Sequence, residues 1–208
     1  MTIETWMAFT AAAVILIAVP GPTVMLVISY ALSRGKGAVI WSVAGVVAGD
    51  FTAMTASLLG VGALLAASAT AFSIVKWAGA LYLMWLGISM WRAPAEPLRE
   101  EPEVLRDGYR IMLHCYFVTA LNPKSIVFFV AFLPQFVSPE APLIPQLAIL
   151  EVTFLTLAMI NTIVYALLAS RLRQRLRSLR SIKRINRLGG SVTFLAGLIA
   201  AAVRPASG

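Results

Sequence analysis

The fold class this sequence predicts is an all-α integral membrane protein with six transmembrane helices. Three observations predict it: the scarcity of charge, the confinement of that charge to alternate connections, and paired prolines in the middle of two spans. Of the 208 residues, 60% are hydrophobic and 12% charged, against about 25% charged in an ordinary soluble domain. Mean hydropathy is +0.86.

The charge-free stretches are long enough to define the spans. None falls between Thr5 and Ser33, Trp77 and Trp91, or Leu188 and Val203. Asp50 stands alone between Gly37 and Val75, Lys124 between Ile111 and Val137, and Glu151 between Ala141 and Ser170. About 20 apolar residues cross the hydrocarbon core as a helix. The stretch from Gly37 to Trp91 holds two crossings with a small-residue turn near Ala67–Ala71. The first span is too long for a cleaved signal and has no positive flank ahead of it, so it reads as mature chain.

Fourteen of the seventeen basic residues lie in the first, third and fifth connections. Arg34 and Lys36 are in the first, and Arg92, Arg99, Arg106 and Arg110 in the third. The fifth holds eight, from Arg171 to Arg187. A formal charge of +8 distributed this way points to membrane orientation and not to nucleic acid. The positive-inside rule puts these loops in the cytoplasm and both termini outside. Trp6, Trp41, Trp77 and Trp91 fall near span ends, where interfacial aromatics gather. The basic stretch has Leu172, Leu176, Leu179 and Ile182 at helical spacing, which suits a lipid-facing amphipathic helix better than a regulatory partner site.

The organisation is two halves, 1–92 and 110–208, joined by a cytoplasmic linker over 93–109, with the basic loop at 171–187. Pro22 precedes Pro123 by 101 residues, and Asp50 precedes Glu151 by 101. Duplicating three spans inverts the second copy, so the halves read as inverted three-helix repeats with helices 1 and 4 broken. Pro20-Gly21-Pro22 removes backbone donors in mid-span. Lipid cannot satisfy the groups thus freed, so protein or water must. Pro22 suits the first position of a new half-helix, and the amides from Thr23 onward would face a cavity able to seat a carboxylate. A kink serving packing alone is the alternative. Asn122-Pro123-Lys124 repeats the arrangement with a strong cap and a full cation.

A mid-bilayer Lys costs at least about 2.5–3.5 kcal/mol, so Lys124 needs a partner, water or substrate. An ion pair with Asp50 or Glu151 is compatible with a substrate that competes for it. Asp50 follows Gly45 and Gly49, a GxxxG pattern that lets another backbone approach. It could receive an amino group or carry a proton. Glu151 shares a face with Ala158, Thr162 and Tyr165, and is either functional or merely interfacial. His114 and Cys115 read as packing residues. One thiol excludes an internal disulfide, and neither residue makes a metal site. No cofactor is implied.

Three blocks carry a family resemblance. PGPTVMLVISYALSRGKGAVIWSVAGVVAGD resembles the opening of the LysE superfamily, in its homoserine/threonine-resistance (RhtB) branch. KWAGALYLMWLG, from Lys76, resembles that family's third span, and NPKSIVFFVAFLPQF, from Asn122, its fourth. The resemblance weakens in the linker and in spans 5 and 6. It implies a bacterial or archaeal plasma-membrane exporter of amino acids or derivatives, driven by the proton gradient. Gly21, Pro22, Asn122, Pro123 and Lys124 carry over as motif positions. Thr23 joins them as a substrate-binding residue, and Asp50 and Glu151 follow from depth alone.

The expected mechanism is alternating access around a zwitterion. Its carboxylate meets the half-helix N-termini and Lys124, and its ammonium or a coupling proton meets Asp50. A homo-oligomer is compatible with this reading. A metal-ion exporter of a neighbouring branch would need more carboxylate, His or Cys ligands. An intramembrane enzyme would need a base paired with a nucleophile or metal. A membrane scaffold gives no reason for Asp50 and Lys124 to lie so deep.

Overall fold

Thr2 opens the first helix of the computed structural model, its hydroxyl accepting from the Thr5 amide at 3.3 Å. The structure describes residues 1–34, 36–67, 69–94, 107–138, 140–171 and 179–202. Most of the linker, residues 172–178 of the basic loop and the C-terminal tail lie outside them. Helix α1 spans Ile3–Ala18 and stops where Pro20 forbids a helical conformation to the residue before it. Helix α2, Pro22–Arg34, starts on its proline and leaves α1 at 55°. Eight of its thirteen residues are buried, so it is a central element.

Helix α3 runs unbroken over Lys36–Ala67 and α4 over Ala69–Arg92, close to the turn expected from the small residues. Asp107 caps α5, Gly108–Ala120, by accepting from the Tyr109 amide at 3.1 Å. Asn122 caps α6, Pro123–Ala131, and the two helices meet at 45°. A 3-10 turn at Leu133–Phe136 follows. The side chain of Gln146 then clamps the loop: it accepts from the Ser138 amide and donates to the Ser138, Ala141 and Pro142 carbonyls. Helix α7 covers Leu143–Arg171 and α8 covers Leu179–Ala202. Arg180, Lys183, Arg184 and Arg187 are therefore in the helix that continues into the last apolar stretch. That part of the basic segment is not a separate loop.

Glycines decide which helices touch. A Cβ on Gly45 would strike the Met112 carbonyl and stand 2.8 Å from Cys115 Cβ. One on Gly49 would lie 2.7 Å from the Tyr116 carbonyl oxygen. The pattern thus lays α3 directly on the backbone of α5, the helix leading to the second break. Gly87 and Gly190 form a similar seam between α4 and α8.

Two apolar clusters result. One stacks Phe9, Phe128, Phe129, Phe132 and Phe154. The other gathers Val27, Tyr30, Val46, Ile111 and Cys115. Large apolar side chains face outward all round, with Ile40 73% and Ile144 79% exposed. In water such a surface would be unfavourable, whereas in lipid it is the expected exterior. Among the described residues, Gly37–Gly60 and Leu143–Ala169 are long and apolar enough to cross a membrane. Counting each bent pair as one crossing brings the number to four.

Candidate functional site

Both helix breaks open on the same small cavity between the two apolar clusters. Gly21, Thr23 and Val24 line it from the first break, Asn122, Lys124 and Ser125 from the second, and Asp50 from α3. Asn161 and Thr162 of α7 close it. The breaks also bond to each other: Thr23 Oγ1 accepts from Asn122 Nδ2 and from Thr119 Oγ1, each at 3.3 Å. Asn122 Oδ1 in turn accepts from the Lys124 amide at 3.1 Å, as a helix cap does. Pro22 and Pro123 start the two short helices without being lining residues themselves.

The first break exposes four carbonyls, and its sequence says which donors are missing. In a continuous helix the carbonyl of residue i accepts from the amide of i+4. Pro20 has no N–H for Leu16, and Pro22 has none for Ala18. Side chains from other helices replace them. Lys124 Nζ donates to Leu16 O at 3.0 Å and to Val19 O at 2.8 Å. Tyr165 Oη donates to Ala18 O at 2.7 Å, and Asn161 Nδ2 to Ile17 O at 3.0 Å. A cation at the carbonyl end of a helix also suits the helix dipole. The second break differs because Leu121 is not a proline. Its amide bonds Phe117 O at 3.0 Å, and α5 closes its own last turn.

Lys124 is 6% exposed and Asp50 5%. They act on each other electrostatically, but no ion pair between them is formed. Asp50 has neither a hydrogen bond nor an ion pair among the described residues. Of the partners open to Lys124 from the sequence, the ion pair with an acid is not the one formed: its hydrogen-bond partners are the freed carbonyls. Glu151 stands apart from the cavity lining and accepts from Thr55 Oγ1 at 2.7 Å. His114 bonds Tyr30 through Nδ1 at 2.7 Å, and Cys115 is buried against Gly45.

The sequence reading missed Asn161 and saw Tyr165 only as part of a polar stripe. Their spacing of four in an apolar helix, opposite a Pro-Gly-Pro break with orphan carbonyls, is the signal that would have found them. The cavity amounts to about 40 Å³, far below the roughly 300–1,000 Å³ of an open ligand pocket. It has room for a few waters.

Interrupted helices whose ends meet at a buried charged cavity are a recurring plan among transporters, and this protein is a translocator and not an enzyme. It belongs to the LysE type translocator family, whose profile matches residues 14–202. It is 35% identical over 207 residues to the homoserine/homoserine lactone efflux protein of Salmonella typhimurium strain LT2, covering 99% of this chain and all of that one. An uncharacterized membrane protein of Vibrio cholerae is 34% identical over 206 residues, or 98% of this chain and all of its own length. The leucine efflux protein of Klebsiella pneumoniae is 30% identical over 137 residues, 65% of each chain. No solved structure matches.

Proposed function

We propose that this protein exports small amino acids or their derivatives, homoserine and threonine among them, across a bacterial or archaeal plasma membrane. Transport is by proton-coupled alternating access. One observation carries the reading: two helix breaks share a small cavity lined by a buried ammonium and a buried carboxylate. The chemistry suits a zwitterion. Met25 N closes the first turn of α2 onto Gly21 O at 3.0 Å, so the amides of Thr23 and Val24, two residues that line the cavity, lie ahead of that bond. With the dipole behind them they suit a carboxylate. Asp50 suits an ammonium or a coupling proton. The names of the efflux relatives favour amino-acid cargo. Metal export would need clustered ligands, and no three His, Cys, Asp or Glu side chains come together among the described residues.

Six crossings arranged as inverted three-helix repeats complete the proposal, with α4 and α8 as the third and sixth. Helix α3 packs on α5 and α6 as α7 packs on α1 and α2, while α3 meets α7 and α4 meets α8. These pairings support an exchange of halves, although α4 also packs on α6 with no comparable contact of α8 on α2 among the described residues. Orientation follows the basic bias, with both termini outside. A cysteine at Ser178 is expected to react with an impermeant reagent only from the cytoplasmic side, and one at Ser207 only from outside. Labelling of the Ser178→Cys protein in intact cells would reverse this topology.

Export itself is tested in everted membrane vesicles with a panel of radiolabelled amino acids, with and without a pH gradient. Gradient-stimulated uptake of homoserine or a close analogue is the expected result. Uptake of none of them by vesicles containing folded protein contradicts the proposal.

A further inference from the structure

The four carbonyls at the first break are occupied by two kinds of donor. Ile17 and Ala18 are held by neutral side chains of one continuous helix, Asn161 and Tyr165. Leu16 and Val19 share a single ammonium on a flexible four-carbon stem that comes from another helix. Two acceptors converging on one nitrogen at 3.0 and 2.8 Å form a seat for a primary ammonium, reinforced by the negative end of α1. Asp50, buried and without a bonded partner among the described residues, borders the same space.

We propose that the Leu16 and Val19 carbonyls are the seat of the substrate's ammonium, and that Lys124 fills it in the empty carrier as a tethered stand-in. The inference rests on the export reading and deepens it by naming how an amino acid is recognised. An α-amino acid carries both groups that the exchange needs. Its carboxylate draws the Lys124 ammonium off α1, and its own ammonium takes the vacated carbonyls, so neither buried acceptor is left bare. Two ammonium groups then face two carboxylates, the substrate's and that of Asp50. An amine without a carboxylate cannot displace Lys124, whose tether gives it a high local concentration. A carboxylate without an amine orphans two acceptors. Selectivity for zwitterions then comes from the exchange, and the substrate's side chain is free to vary.

The test uses the full chain in lipid nanodiscs. Lys124→Ala vacates both the seat and the space of the stem. n-Propylammonium is expected to raise the unfolding midpoint of this variant by roughly 3–6 °C, saturably, and to leave the unsubstituted protein unmoved. Tetramethylammonium has the same charge but no N–H to donate, and is expected to do nothing. In Lys124→Met the stem volume is refilled, so ammonium itself should stabilise the variant where n-propylammonium does not. Should Lys124→Ala fail to fold alone, its recovery as monodisperse protein with n-propylammonium, and not with tetramethylammonium, is the same result. Equal effects of the two alkylammonium ions, or an equal response of variant and unsubstituted protein, overturn the seat. Vesicles that take up no amino acid while the amine effects persist count against the export reading alone.

Discussion

Lys124→Met is expected to abolish export while the protein still inserts in the membrane. The side chain is buried and its ammonium serves two carbonyls. Losing a hydrogen bond from a charged donor to the substrate costs about 1.5–3 kcal/mol, roughly 10-fold to 150-fold in affinity. Methionine keeps most of the stem and removes the charge, so insertion becomes easier. The orphaned Leu16 and Val19 carbonyls cost about 1–3 kcal/mol each in the folded state. The variant should therefore be present in membranes at near-normal levels, somewhat less stable in detergent, and inactive. Uptake into everted vesicles, normalised to immunodetected protein, measures this. The double change Lys124→Met/Asp50→Asn separates the roles. Full recovery of uptake in the double variant would show that Lys124 only balances Asp50 and does not meet substrate.

Gly45→Val is expected to have the largest effect on folding. Its first added carbon falls on the Met112 carbonyl and within 2.8 Å of Cys115 Cβ, both fixed parts of α5. Overpacking against side chains costs about 1–3 kcal/mol, and against backbone the cost should reach the upper end or exceed it. Separation of α3 from α5 would also shift the second break, so export and monodispersity should fall together. Gly60 is the control, because nothing stands within 4 Å of a Cβ there. Gly60→Val should elute and transport like the unsubstituted protein. Equal behaviour of the two variants in size-exclusion chromatography would contradict the packing described for α3 and α5.

The breaks were legible in the sequence because their cause is local. A proline has no amide hydrogen wherever the rest of the chain lies, and Asn122-Pro123 is a helix start in any context. The burial of Asp50 and Lys124 was legible because each stands alone in a long apolar run. The partner of Lys124 was not, since a search among charged side chains passes over backbone carbonyls. Yet Pro20 and Pro22 name two of those carbonyls, Leu16 and Ala18, by the i to i+4 rule.

Glu151 shows how far the internal repeat can be pressed. The spacing that pairs it with Asp50 also pairs Thr23 with Lys124, and in both pairs the two residues sit in different surroundings. Asp50 borders the cavity whereas Glu151 bonds Thr55 outside it. The end of α1 needs side chains from α6 and α7, whereas α5 closes on itself.

The central claim is that transported amino acid passes through the cavity shared by the two breaks. Thr23→Cys in a Cys115→Ser background tests it most directly, because Thr23 lines that cavity and bonds the opposite break. The rate of modification by a small methanethiosulfonate reagent is measured in vesicles that transport homoserine, with and without homoserine present. The account predicts that saturating homoserine slows modification at least about fivefold, and that a non-transported sugar leaves it unchanged. An unchanged rate in protein that still transports homoserine would place the route elsewhere and contradict the account.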